Sequence, residues 1–274
     1  SVGTEYDSGD YEKSLDLALR AIDYEGLRAE QLRRRKGGEV MQLGIGIATY
    51  VEITAGPAPG SSEYARVEIS PEGRATIYTG TLSHGQGHRT TFSMIAADQL
   101  GIDIDEIDFV QGDTDLVAEG TGTFGSRSTQ LAGSSVHTAA GQVADDARRV
   151  AADLLEANVE DVVLDRSTGT FHVVGSPAVS RTWTEVAATG QELAAESNEA
   201  MSCTYPFGTH LAVVEIDTDT GAVRLEKMVA CDDAGTIINP VIVEGQRHGG
   251  IAQGVAQALL EEVAYDDEGN PQTA

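Results

Sequence analysis

The chain has 274 residues, 41% hydrophobic content and a net charge of −26, so it can bury real apolar cores in one large or two ordinary domains. Asp and Glu number 44 against 18 Lys and Arg, and the only lysines are Lys13, Lys36 and Lys227. That balance excludes nucleic acid as a partner, because phosphates would be repelled, and no stretch approaches the roughly 18 apolar residues of a membrane span. The acids are spread over helix faces and turns, as in Asp145, Asp146, Asp153, Asp266, Asp267 and Glu268. A halophilic, salt-adapted acidic surface is therefore expected, in place of an acidic tail that binds a basic partner. Cys203 and Cys231 form no CxxC spacing and read as intracellular thiols. The first residues, SVGTEYDSGDYEKS, contain no basic and apolar leader.

Residues 10–35 read as one charged helix with Leu15, Leu17, Leu19, Ile22 and Leu27 on its apolar side. LGIGIATYVEIT at 43–54 alternates and is β-branched, which predicts a strand. YARVEIS and RATIYTG flank a PEG turn and predict a hairpin across 64–80. A helix over 89–100, a strand over 107–111 and a long helix over 129–157 follow. VVLD and TFHVV around RSTG predict a second hairpin, and WTEVAAT and QELAAES read as short helical pieces. HLAVVEIDTDTGAVRLEKMVACDD at 210–233 is a two-strand unit around the DTDTG turn. Residues 243–263 form a helix with glycines on its first turns. Hairpins and packed helices without regular βαβ alternation predict an α+β fold with mixed sheets. The expected domains are a connecting helical segment over 1–40 and a main region over 41–274, with possible subdomains at 41–158 and 159–274.

Two polar turns, HGQGH at 84–88 and FGSRS at 124–128, each run straight into a helix. A helix start offers unpaired N–H groups and a positive dipole end, and glycine lets a ligand approach the backbone. In the first turn, His84, Gly85, Gln86 and Gly87 are candidates. The Gln86 amide can donate and accept at once, which suits a ligand with mixed oxo and amide groups; the alternative is a turn glutamine facing solvent. His84 and His88 are four apart but lack a third metal ligand, so hydrogen bonding or packing is favoured over metal binding. In the second turn, Gly125, Ser126, Arg127 and Ser128 bring hydroxyls and a guanidinium to a helix start. Arg127 is either an anion anchor or the partner of a carboxylate such as Asp113 or Asp115. GDTD at 112–115 reads as a turn cap. Gln253 is a candidate on the third glycine-rich helix, the alternative being a buried amide bonded to backbone. No acid–base dyad or triad is visible.

Taken together, YDSGDY at 6–11, GQGH at 85–88, AADQLGI at 96–102, GDTD at 112–115, TFGSRSTQLAG at 123–133, YPFGTHLAVVEIDTDTGAVRL at 205–225 and INPVIVEGQRHGGIAQGVAQALLEE at 238–262 resemble the molybdopterin-binding large subunit of the xanthine oxidase family of molybdenum hydroxylases. The likeness is strongest to large chains of the carbon monoxide dehydrogenase type. The resemblance implies the mixed-sheet α+β fold of that family's molybdopterin-binding domains. It implies that His84–Gly87 contact the pyranopterin and metal side of the cofactor, that Gly125–Ser128 cradle its pterin and phosphate portion, and that Gln253 hydrogen-bonds it again. The cofactor implied is molybdenum–molybdopterin cytosine dinucleotide, with FAD and [2Fe–2S] clusters on a medium and a small partner subunit, in a cytoplasmic dimer of heterotrimers. The reaction implied is oxidation of a small substrate (carbon monoxide, an aldehyde or an N-heterocycle) with water as the oxygen source. The family's catalytic glutamate lies in a GxGE-type segment and its copper-binding cysteine in an upstream loop. Neither segment occurs in these residues, so the resemblance implies a C-terminally truncated, inactive fragment with no catalytic residue or metal ligand of its own. The competing expectation is a non-catalytic binding or assembly module of the same fold.

Overall fold

A computed structural model of the protein describes residues 3–55 and 62–272. In chain order the elements are α1 (Tyr11–Ile22), α2 (Tyr24–Gly37), β1 (Met41–Val51), β2 (Ser62–Ile69), β3 (Ala75–Thr79), α3 (His88–Leu100), β4 (Ile107–Gln111) and α4 (Ser128–Leu154). Then come β5 (Val162–Asp165), β6 (Thr170–Val173), β7 (Ser180–Thr182), α5 (Trp183–Ala187), β8 (Ala194–Ala200), β9 (Phe207–Asp217), β10 (Val223–Asp232) and α6 (Pro240–Leu259). This is the α+β architecture expected from the sequence. The chain divides into two compact units, one from Ser1–Glu52 with Tyr205–Ala274 and one from Ile53–Thr204. Among the described residues, no helix is long and apolar enough to cross a membrane.

In the first unit, β9 is the central strand between β1 and β10, both antiparallel to it. The β9–β10 connection is the predicted DTDTG turn, in which Asp217 Oδ1 accepts from the N–H groups of Asp219 and Thr220 at 2.9 and 3.1 Å. The β1–β9 ladder joins Met41 to Asp217 and Val51 to Phe207. Helix α1 packs on β9 and β10, where Ala18 and Ile22 meet Leu43, Leu211 and Val213.

Residues 10–35 are two helices, not the single one expected. Asp23 takes a left-handed conformation (φ 60°), ends α1 and caps α2 by accepting from the Gly26 N–H. A Cβ on Gly26 would lie 2.2 Å from the capping Asp23 carboxylate, so a larger residue there would have to displace the cap.

The second unit is a four-stranded sheet ordered β4–β3–β2–β8, with α3 and α4 packed together and α4 lying on β2 and β8. Its core contains Ile77, Phe92, Leu100, Val136, Val143 and Phe171, all fully buried. Trp183 closes one end and donates from Nε1 to the Leu100 carbonyl at 2.9 Å. The β5–β6–β7 sheet attaches to this core through Val162 and Phe171.

The segment QELAAES is not helical. It leads into strand β8, paired antiparallel with β2 from Ser62↔Ala200 to Glu68↔Ala194. Its Ala- and Glu-rich composition favours helix, but an open edge on β2 offered a full hydrogen-bond ladder, and tertiary pairing overrode local preference.

Two outcomes follow from this architecture. Replacing Phe92 with Ala should lower the unfolding free energy by about 3–5 kcal/mol, read by urea denaturation; a loss below about 1 kcal/mol would mean that the α3–α4 core is not built around this ring. With a net charge of −26, the thermal midpoint should rise as KCl is raised to molar concentration, because salt screens carboxylate repulsion. A flat or falling midpoint would remove the salt-adaptation argument.

Candidate functional site

A parallel strand pair of the second unit sets the site. β3 and β4 run side by side in register from Ala75↔Ile107 to Thr79↔Gln111. Each leads from its C-terminal end through a turn into a helix: β3 into α3 through 80–87, and β4 into α4 through 112–127. Both turns therefore leave the same end of the sheet, where open α/β sheets generally bind ligands.

They are tied together. The Leu82 N–H donates to Thr123 Oγ1 at 3.1 Å, and the Ser83 N–H to Gln111 Oε1 at 3.1 Å. Gly80 and Gly120 touch backbone to backbone, so that a Cβ on Gly80 would lie 2.4 Å from the Gly120 Cα.

In the first turn, Gly85 and Gly87 have φ of 111° and 80°, conformations that favour glycine. Gln86 is half-buried. Its Oε1 accepts from the His84 N–H at 2.5 Å and from Ser83 Oγ at 3.4 Å. This folds the carbonyl end into the turn and leaves the Nε2 donor for another group.

His84 is exposed, whereas His88 is 4% exposed and stacks on Phe92 at 5.1 Å. Burial, and then the neighbouring His84, hold the His88 pKa below the ordinary histidine value, so its ring is neutral. Its Nδ1 is buried without a hydrogen-bond partner. Among the described residues, no group of three His, Cys, Asp or Glu is placed to hold a metal ion.

In the second turn, Gly125 and Ser126 have φ of 59° and 53°, and Phe124 stands exposed over the Arg127 guanidinium at 5.1 Å. Arg127 itself is 3% exposed. Its Nη1 meets Glu63 Oε2 at 2.7 Å and the Gly122 carbonyl at 2.9 Å, and its Nη2 donates to the Ser62 carbonyl at 2.6 Å. Glu63 also accepts from the N–H groups of Thr121 and Gly122 at 3.1 and 3.2 Å. Of the two readings open for Arg127, the structure therefore shows the carboxylate partner, and that partner is Glu63 in place of Asp113 or Asp115. The guanidinium is engaged inside the protein and shapes the turn.

No turn motif in the sequence marks Glu63 as part of the site. Glu63 shares a buried face with Ala65 and Val67 at period two, and a carboxylate on an apolar strand face signals a buried partner. Asp113 caps its own turn by accepting from the Asp115 N–H at 3.0 Å, as read from GDTD. Ser128 Oγ donates to Thr123 Oγ1 at 3.3 Å.

Both helix starts lack a side-chain cap, so their first N–H groups are open to an external acceptor. A Cβ added at Gly85, Gly122 or Gly125 would meet nothing within 4 Å. These glycines leave room in front of the turns.

Gln253 belongs to the first unit, on α6. It is exposed, not a buried amide, and Gly249, Gly250 and Gly254 beside it have open space at their Cβ positions. Asn239 caps this helix by accepting from the Ile242 N–H at 3.1 Å, with Pro240 in its first turn.

Residues 17–274 match the family described as molybdopterin cofactor-binding domain. The chain is 39% identical to the carbon monoxide dehydrogenase large chain of Hydrogenophaga pseudoflava, over 98% of this chain and 36% of that protein. It is 35% identical to the nicotine 6-hydroxylase large subunit of Paenarthrobacter nicotinovorans, over 99% of this chain and 35% of that protein. Among solved structures, a Cu,Mo-CO dehydrogenase in its carbon monoxide-reduced state superposes with a TM-score of 0.89 at 37% identity, covering 98% of this chain and 36% of that one. Quinoline 2-oxidoreductase from Pseudomonas putida 86 gives 0.87 at 34% identity, covering 99% and 37%. The chain thus spans about a third of the length of these relatives.

The Glu63–Arg127 pair can be tested apart from any ligand. Glu63→Gln or Arg127→Met should each destabilise the protein by about 3–5 kcal/mol, since each leaves a buried group unpaired, and the double variant should cost less than the two single losses added together. Chemical denaturation of the set decides it. Additive losses of under about 1 kcal/mol each would show that the pair is solvated.

Proposed function

The chain belongs to the molybdopterin cofactor-binding domain family, and from that premise we propose that it is part of the large subunit of a molybdenum hydroxylase, acting on carbon monoxide, an aldehyde or an N-heterocycle. The observation that carries this reading is the pair of uncapped helix starts, α3 and α4, which leave one end of a parallel strand pair behind turns with open glycines. Such an arrangement suits a large, anionic, hydrogen-bonding guest better than a small ion.

The residues fit the cofactor as follows. His84, Gly85, Gln86 and Gly87 would line its pyranopterin and metal side, with the Gln86 Nε2 donating to an oxygen of the group. The backbone of Gly125, Ser126, Arg127 and Ser128 would face the pterin and phosphate portion. Arg127 would act there through the loop it holds, because its guanidinium is bonded to Glu63. Gln253, exposed on α6, would supply a further amide. When bound, the group supplies two-electron oxidation of a carbon centre with water as the oxygen source. This chain's residues bind and orient it, and preorganised donors in a partly buried turn do so without later rearrangement.

The cytosine dinucleotide form, the FAD and [2Fe–2S] subunits, the dimer of heterotrimers and a cytoplasmic location belong to the same proposal. So does the view that the catalytic base lies outside these 274 residues.

The full-length polypeptide should purify with molybdenum and a pterin nucleotide in equal amounts. Gln86→Ala, and Gly125→Val, which a φ of 59° disfavours, should lower that content by roughly tenfold or more. Elemental analysis and pterin fluorescence give the answer. A parent protein without molybdenum, or one indifferent to both substitutions, would favour the non-catalytic assembly module.

A further inference from the structure

Helix α6 is anchored to its unit by charge. None of its residues is buried, and a Cβ on Gly245, Gly249, Gly250 or Gly254 would meet nothing within 4 Å. A helix with four interior glycines and no buried side chain has little intrinsic reason to hold one orientation. Arg247 ties it to the sheet. Its Nε donates to Asp232 Oδ2 at 2.9 Å and its Nη2 to the Ala230 carbonyl at 2.8 Å.

Asp232, at the end of β10, is a hub. Its Oδ1 accepts from the Tyr50 hydroxyl on β1 at 2.9 Å and contacts His210 Nε2 on β9 at 2.7 Å. One carboxylate thus gathers a group from each neighbouring element: β1, β9 and α6. The site is shaped for it. Gly208 lies across the ladder from Asp232, and a Cβ there would sit 2.5 Å from Asp232 Oδ1 and 2.6 Å from the Tyr50 ring. Burial alone would raise the Asp232 pKa, yet the bonds from His210, Tyr50 and Arg247 hold it below the ordinary aspartate value. The carboxylate is therefore charged and available to Arg247 near neutral pH.

Arg247 and Gln253 are six residues apart, about 9 Å along the axis and about 120° apart around it. When Arg247 is fixed against the sheet, Gln253 is turned to a different side of the helix. We propose that Asp232 is the positioning residue of α6: through Arg247 it sets the rotation of the helix and thereby fixes which way Gln253 faces. The aiming step rests on the reading that Gln253 contacts the cofactor; the anchoring step does not. Guanidinium geometry matters here, because a lysine at 247 would keep the charge but lose the two-pronged grip that fixes rotation.

The test uses the full-length protein and two readouts, amide hydrogen exchange over 240–259 and molybdenum and pterin content. Asp232→Asn should speed exchange in α6 by about tenfold or more while β9 amides keep their wild-type protection, and it should lower cofactor content as far as Gln253→Ala does. Arg247→Lys, at a position 44% exposed where folding is not at stake, should fall between wild type and Asp232→Asn on both readouts. Unchanged α6 exchange in both Asp232→Asn and Arg247→Lys would overturn the anchor. If α6 loosens and Gln253→Ala loses cofactor while Asp232→Asn keeps it, the aiming step is wrong. If Gln253→Ala keeps full cofactor content, the premise about Gln253 fails and the anchor is judged by exchange alone.

Discussion

The contact between Arg127 and Glu63 is the constraint on which the site depends. A glycine-rich turn such as 112–127 has no intrinsic shape, and a helix start left without a side-chain cap would fray. Here the guanidinium reaches back under the turn, bonds the Ser62 and Gly122 carbonyls and pairs with a fully buried carboxylate. That carboxylate in turn collects the Thr121 and Gly122 N–H groups. Two ions buried together with their remaining valences satisfied fix one backbone path, and breaking one partner would leave a charge stranded. The N–H groups at the head of α4 receive no cap from the Arg127 side chain, whose guanidinium turns inward to Glu63.

The second requirement is the parallel pairing of β3 with β4. It brings two helix starts to one end of one sheet, and the Gly80–Gly120 contact with the Leu82–Thr123 bond keeps their turns side by side. The rest of that unit, a core of interlocked aromatic and branched side chains under α3 and α4, serves as a rigid base for the pair. α6 differs: none of its side chains is fully buried, and Arg247 ties it to the half-buried Asp232 carboxylate of its sheet.

Much of this was legible in the sequence, for identifiable reasons. The strands around PEG, RSTG and DTDTG carry alternation and turn residues in the same few positions, and the long apolar period of 129–157 matches α4. The two turns were visible because glycine, serine and a helix start coincide there. Three things were not legible. The break at Asp23 depends on one left-handed residue inside an unbroken amphipathic pattern. β8 has helix-forming composition and became a strand only because β2 had an open edge. Glu63 looked like an ordinary charge, since its burial depends on Arg127, 64 residues further on. Local pattern predicts local structure; partners distant in sequence decided the electrostatics of the site, and the direction of the Arg127 side chain with it.

A crystal structure of the full-length protein with its native cofactor tests the central claim most directly. It should show the pterin and phosphate groups within hydrogen-bonding distance of the N–H groups that open α3 and α4, with Gln86 Nε2 on an oxygen of the metal centre and Arg127 still on Glu63. A cofactor seated away from both turns, or bonded by the Arg127 guanidinium after release from Glu63, would contradict it.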